Sequence, residues 1–209
     1  MSKIHFTIPI PTFIESLIVY FLLRYRKKHF GFAFRRIKLI TDKKVDAKHR
    51  YAIVDPQDYQ KLSQYPWQLF EKRGKCYATV FYEGNILYMH RFIMKAPEGQ
   101  IIDHRNREGL DNRKANLRFA THSQNNCNKK PSTKNATSKY RGVRKRKDSR
   151  KYYADIGYNG KTIPLGSFDN ELEAARAYDE AAEKYHGEFA VLNFDEDNHP
   201  DEIAAHLTG

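Results

Sequence analysis

The chain has 209 residues, room for about two small domains at roughly 100–200 residues each, and its 37 Lys and Arg against 25 Asp and Glu give a formal net charge of +12. Such an excess draws polyanions, with nucleic acid and an anionic membrane surface as the two candidates. Two cysteines, Cys76 and Cys127, are too few for a disulfide framework and lack the Cys-x-x-Cys pairing of a structural zinc site, which excludes both and fits a reducing, cytoplasmic setting.

Residues 1–50 read as an N-terminal extension dominated by a basic amphipathic helix. Its apolar run, Phe13 to Leu23, is interrupted by Glu15 and is short of the ~18 apolar residues that a spanning helix needs. No small-residue cleavage pattern follows it. The expectation is therefore a helix packed on the body with its basic end exposed, and a membrane-surface anchor is the rival reading.

"RYAIVDPQDYQKL" predicts a short strand, a turn at Asp55-Pro56 and one or two helical turns. "YPWQLFEKRGKCYATVFYEGNILYMHRFIM" predicts a small antiparallel meander broken at Arg73-Gly74 and Gly84-Asn85, running into a short helix near His90. Further on, "IIDH" and "LRFAT" suit two more strands, and "HSQNNCNKK" suits a helix with Asn125 on its first turns. Residues 129–138 are polar and basic without apolar periodicity, a flexible linker and hence a domain boundary.

Past the linker, "YRGVR", "YYADI" and "KTIPLGSF" are strand-like, and the last two are joined across Asn159-Gly160, a pair suited to a type I′ hairpin turn. "DNELEAARAYDEAAEKYHG" shifts to helical spacing. Leu172, Ala175, Tyr178, Ala182 and Tyr185 form one stripe, Asp169 or Asn170 caps the start and Gly187 ends it. A three-stranded antiparallel sheet covered by one helix is the simplest domain using these pieces. The fold class expected for the whole chain is α+β.

The chemistry concentrates in "IIDHRNREGLDNRKANL". Phosphodiester hydrolysis needs a base to activate water and a cation to stabilise charge on the phosphoryl and leaving oxygens. His104 suits the first task, because an imidazole is largely neutral near pH 7. Asp103 offers a hard carboxylate oxygen and Asn125 a neutral carbonyl oxygen for a divalent ion, if two strands and a helix bring them together. An Asp-His pair alone is common and mostly a surface accident, and Asn-rich stretches are mostly turns.

The combination is more specific. "YMHRFIM" followed by "IIDHRNREGLDNRKANLRFATHSQNNCN" resembles the HNH endonucleases, in the cysteine-free form of phage and bacterial homing-type, mobile-element enzymes, over about residues 51–128. The resemblance implies a ββα-metal nuclease core. It also implies His104 as general base, Asp103 and Asn125 as ligands of one divalent ion, expected to be magnesium, and Asn116 in the middle position of the catalytic set, bracing the loop and orienting the histidine. Arg113 and Arg118 become candidate DNA contacts, with a structural role as the alternative for each. For His90 and Arg91 the expectation is packing.

Between Lys129 and Lys151 eleven Lys or Arg stand against a single acid, Asp148. A solvated charge run is the ordinary explanation, but here the charges are threaded through predicted strands with Tyr140, Tyr152 and Tyr153, a pattern able to lie along a DNA groove. "YRGVR", "ADI", "LGSFD", "EAARAYDEAA" and "AVLNF" resemble the Apetala/ethylene-response-factor DNA-binding domain across residues 139–195, leaving an acidic tail over 196–209. By that resemblance Arg141, Arg144 and Arg146 reach bases or phosphates, and Tyr152 and Lys161 join them. Gly157 replaces an arginine of the plant domains and Pro164 a tryptophan.

The chain thus reads as a metal-dependent endonuclease acting on double-stranded DNA, with no small-molecule cofactor, as a monomer or homodimer. A non-catalytic, transcription-regulator-like DNA-binding protein is the alternative.

Overall fold

The computed structural model describes residues 12–42, 44–129 and 137–194. Most of the expected linker, the acidic tail and the first eleven residues lie outside them.

Helix α1 (Thr12–Phe30) has no buried residue. This differs from the expected packed amphipathic helix, and the reason is in its pattern. Phe13, Ile14, Leu17, Ile18, Tyr20, Phe21 and Leu22 spread over more than half of the helix circumference and are all exposed, and Val19 and Leu23 fall on the rest, so no single apolar stripe exists to bury. Its last turns are tied down by Arg26, whose guanidinium lies 4.4 Å from the Phe34 ring centroid and donates to the Phe34 carbonyl at 2.6 Å. Among the described residues no helix is long and apolar enough to cross a membrane.

The packed body begins near Phe34 rather than at residue 51. Strand β1 (Arg35–Lys38) pairs antiparallel with β2 (Tyr51–Val54), and α2 (Pro56–Leu62) follows, with proline in its first turn where the missing N–H costs nothing. The meander β3 (Gln68–Lys72), β4 (Lys75–Tyr82) and β5 (Asn85–Tyr88) runs directly into α3 (Met89–Met94). Its turns are Arg73-Gly74 and Glu83-Gly84, the second one residue earlier than expected, and all four residues have positive φ. One core unites these pieces: Ile37, Leu39, Ala52, Val54, Leu62, Trp67, Ala78, Val80, Met89 and Leu110. Trp67 is 1% exposed and its indole N–H donates to the Leu62 carbonyl at 2.7 Å, so the ring is buried without an orphaned donor.

Strands β6 (Ile101–His104) and β7 (Leu117–Ala120) form a two-stranded antiparallel ladder that pairs Asp103 with Arg118 and His104 with Leu117. Helix α4 (His122–Cys127) starts with a full capping box, Thr121 accepting from the Gln124 N–H while Gln124 accepts from the Thr121 N–H.

The C-terminal domain is an antiparallel sheet of β8 (Val143–Lys145), β9 (Tyr152–Tyr158) and β10 (Lys161–Phe168), with β9 central, under α5 (Glu171–His186). Asn159 and Gly160, at φ 50° and 74°, make the hairpin turn, and Asn170 caps α5 by accepting from the N–H groups of Leu172 and Glu173. The stripe facing the sheet is Ala174, Ala175, Tyr178, Ala181 and Ala182, whereas Leu172 is exposed. Small residues on that stripe let the helix lie close to Ala154 and Ile156 of β9.

Candidate nuclease centre and DNA-binding face

The long loop between β6 and β7 is held as a rigid unit, and this fixes the ends of both strands. The Asn116 side-chain oxygen accepts from the Asn106 N–H at 3.0 Å, and its amide donates to the Asn106 side chain and the Asp111 carbonyl, both at 2.8 Å. Asn116 therefore sits as a brace, 6% exposed. Asp111 in turn accepts from both Asn106 and Arg113. The loop is stitched to β2 by the Ile53 N–H donating to the Leu110 carbonyl and the Asn112 N–H donating to the Ile53 carbonyl, both at 2.8 Å. Asn116→Ala is expected to destabilise the protein by about 1–3 kcal/mol, because it orphans groups that are already desolvated. Chemical denaturation would measure the loss.

The end of β6 delivers Asp103 and His104, and α4 delivers Asn125, to the wall of one open cleft of about 510 Å³, shared with Lys72, Lys75, Tyr77, Tyr88, His90 and Asn128. The His104 ring lies 5.0 Å from that of His90, roughly edge to face, and 6.2 Å from that of Tyr77. Its Nε2 is buried and has no hydrogen-bond partner among the described residues. Burial pushes the His104 imidazole down to about 4, opposed by the Asn112 side chain and by the carboxylates of Asp111 and Asp103. His90 is pushed down further, to about 3, by burial first and then by His104 and Arg91. Both rings are neutral at pH 7, each with a lone pair.

Those shifts carry a stability consequence. The folded values lie below the ordinary 6.5, so their contribution is complete above pH 6.5 and is lost as pH falls toward about 4 and then 3. In chelator, the thermal midpoint should decline once pH drops below 6.5, and His90→Asn should flatten the decline. An unchanged slope in that variant would show that His90 is not buried neutral.

Asp103 is 5% exposed and almost fully engaged. Its Oδ2 accepts from Arg118 Nε at 2.9 Å, is ion-paired with Nη2 at 2.8 Å, and accepts from the Asn128 amide at 3.0 Å; its Oδ1 accepts from the Asn128 amide at 2.9 Å. Oδ1 therefore keeps a lone pair. A carboxylate oxygen with spare capacity and the side-chain carbonyl of Asn125, lining one cleft, are hard donors, and hard oxygen is what magnesium, manganese or calcium takes, leaving other positions to water or phosphate. The donor set fits such an ion. Among the described residues no group of three His, Cys, Asp or Glu assembles.

Asn128 escaped the sequence reading. Its amide also donates to the His104 carbonyl at 2.8 Å, so one buried side chain fixes both halves of the Asp-His pair. The signal was its spacing: it lies one helical turn after Asn125, on the same side of α4.

Several expected DNA contacts are turned inward. Arg113 is ion-paired with Asp111 at 2.6 Å and lies 3.5 Å from the Phe32 ring centroid; Arg118 is spent on Asp103. Arg141 donates to the carbonyls of Cys127 and Lys129 at the end of α4. Tyr152 packs with Val143, Ala154, Ala174 and Ala175 on the helix side of the sheet. The opposite face holds Arg144 beside its register partner Tyr153, with Arg146 4.6 Å from the Tyr153 ring centroid. Arg144 also pairs with Asp155 at 2.9 Å and remains exposed, as does Lys161 at the hairpin turn. The antiparallel register, with Arg144 opposite Tyr153 and Lys145 opposite Tyr152, puts Tyr153 rather than Tyr152 on that face.

The profile of the HNH endonucleases matches residues 88–127, from the last residue of β5 through α4, and that of the AP2 domain matches residues 138–188. A protein of Acanthamoeba polyphaga mimivirus named "Uncharacterized HNH endonuclease L560" is 34% identical over 152 residues, spanning 70% of this chain and 76% of its own length. The chain belongs to the HNH endonuclease family. This HNH endonuclease carries its AP2 domain at the C-terminal end. That domain is 43% identical over 68 residues to the ethylene-responsive transcription factor WRI1 of Arabidopsis thaliana and 49% identical over 61 residues to APETALA2-like protein 2 of Oryza sativa subsp. indica. Those stretches cover 32% and 28% of this chain but only 16% and 14% of the plant proteins, so the likeness is to one domain of each.

Proposed function

We propose that this HNH endonuclease hydrolyses phosphodiester bonds of double-stranded DNA with a divalent ion, and that its AP2 domain adds affinity and site preference. The observation that carries the reading is the convergence of Asp103, His104 and Asn125 on one open cleft edged by the exposed Lys72 and Lys75. A neutral imidazole beside hard oxygen donors, with lysines able to meet phosphates, is the equipment of phosphodiester hydrolysis.

In this mechanism β6, β7 and α4 act as a ββα-metal core. The neutral His104 imidazole takes a proton from water as the water attacks phosphorus. Low basicity limits the driving force for that transfer but keeps the ring in its base form at all physiological pH. Asn128 and the Asn116-braced loop hold His104 in place. Asp103 and Asn125 would hold the ion, magnesium in the expected case, whose chemistry is neutralising charge on the phosphoryl and leaving oxygens. The P–O3′ bond breaks, and the departing 3′ oxygen takes a proton from solvent water, leaving 5′-phosphate and 3′-hydroxyl ends. The open face of the C-terminal sheet, with Arg144, Arg146 and Tyr153, meets DNA beside the cut, and the chain works in the cytoplasm as a mobile-element nuclease.

Supercoiled plasmid incubated with protein and magnesium, with and without chelator, tests the reading. Nicking or linearisation only with free magnesium is expected. Binding without cutting across a randomised target library would instead make the chain a non-catalytic DNA-binding protein.

A further inference from the structure

The C-terminal domain grips the nuclease core through the same side chain that holds Asp103. Arg118 is 7% exposed, and the two ends of its guanidinium serve different domains. Nε donates to Asp103 Oδ2 and Nη2 is ion-paired with it, while Nη1 donates to the carbonyl of Glu188 in the turn Gly187–Phe189 that follows α5. The face of the guanidinium lies 3.7 Å from the ring centroid of Phe189, which is 4% exposed. Around this point the Glu188 carboxylate pairs with Arg105 at 2.8 Å, and Arg141 caps the carbonyls of Cys127 and Lys129. Every contact in the set joins the C-terminal domain to β6, β7, α4 or their flanks.

We propose that the C-terminal domain is part of the cation site, acting through Arg118 as a positioning residue: Phe189 and the Glu188 carbonyl fix Arg118, and Arg118 fixes Asp103 with Oδ1 left for the ion. The inference rests on the nuclease reading above and adds to it that this domain does more than find DNA. The physical reason is desolvation. Breaking a buried ion pair leaves a desolvated charge without its partner, and a guanidinium this buried needs acceptors for its donors. Take away the ring and the Glu188 carbonyl, and Nη1 is orphaned beside an apolar gap. Arg118 then leaves Asp103, and the carboxylate loses the contact that turns Oδ2 inward and leaves Oδ1 for the ion.

The full-length chain carries the test. Phe189→Leu keeps the apolar filling and removes the aromatic face; Phe189→Tyr keeps the face. Arg118→Lys keeps the charge and loses the two-pronged contact. Manganese binding is read directly from the electron paramagnetic resonance of free Mn²⁺ without DNA, and DNA affinity is read in chelator. Phe189→Leu and Arg118→Lys should each weaken Mn²⁺ binding by about 10-fold, the ordinary effect of losing an outer-sphere partner of a ligand, while Phe189→Tyr matches wild type and all three keep wild-type DNA affinity in chelator. Unchanged Mn²⁺ affinity in both Phe189→Leu and Arg118→Lys overturns the proposal while the nuclease reading stands. Tighter Mn²⁺ binding also overturns it, since Arg118 would then be a competitor of the cation. If wild type neither binds Mn²⁺ nor cuts DNA, the nuclease reading falls and takes the proposal with it.

Discussion

His104→Ala is expected to lower magnesium-dependent DNA cleavage by about 100- to 10,000-fold, the span that a positioned general base supplies, while DNA affinity stays at the wild-type level. The asymmetry follows from how the imidazole is held. It is neutral, its Nε2 has no partner among the described residues, and its ring is walled by those of His90 and Tyr77. Truncation leaves a small gap lined by rings and orphans no charge, so the Asn128 bonds to Asp103 and the brace at Asn116 persist. The exposed basic residues on the open face of the C-terminal sheet lie outside that gap. Nicking rates and gel shifts on the same preparations check this. Parallel loss of cutting and binding would mean that His104 holds the core together and performs no chemistry.

Where sequence exposed the fold, it did so through local rules. Asn159-Gly160 between two β-rich runs announced a hairpin, and the structure has that hairpin with both residues at positive φ. Thr121 ahead of Gln124 opens α4 as a capping box, which puts Asn125 on the first turns. Non-local rules were harder to see. β1 pairs with β2 across a stretch of weak pattern, so the start of the packed body was invisible until Ile37 and Leu39 were found in the same core as Trp67. Charge told even less about role. Arg113, Arg118, Arg141 and Arg144 look equivalent as letters, yet only Arg144 stands on an exposed sheet face; the others neutralise Asp111, neutralise Asp103 or cap a helix end. Whether an arginine serves DNA or the protein depends on which carboxylates and carbonyls the fold brings to it. Residue type, spacing and the family resemblance singled out Asp103, His104 and Asn125, and these three line one cleft; Asn128, one turn further along, has the right spacing but the look of any other turn residue.

Gly142→Ala should cost the C-terminal domain about 2–5 kcal/mol, from adding a left-handed backbone penalty to an overpacked core, although it changes no charge and only one methyl. Gly142 has φ +71°, and a Cβ there would sit 1.9 Å from Tyr178 Cδ2, 2.4 Å from Tyr178 Cε2 and 2.8 Å from the Asp155 carbonyl oxygen. Neither neighbour can give way easily. Tyr178 is 5% exposed at the middle of α5 and packs with Ile156, Ala181 and Ala182, while Asp155 is held by its own N–H donating to the Gly142 carbonyl at 3.0 Å. Relief would have to come from lifting α5 off the sheet or from shifting the segment that carries Arg141 and Arg144. Either movement disturbs the sheet face proposed to meet DNA without touching an arginine, so DNA affinity should fall along with the unfolding midpoint. Adding Tyr178→Ala separates the two causes: it removes the clash but leaves the backbone strain, so the double variant should be less destabilised than the sum of the single ones. Strict additivity would show that the ring and the glycine do not meet, and that the close packing of α5 against the start of β8 is wrong.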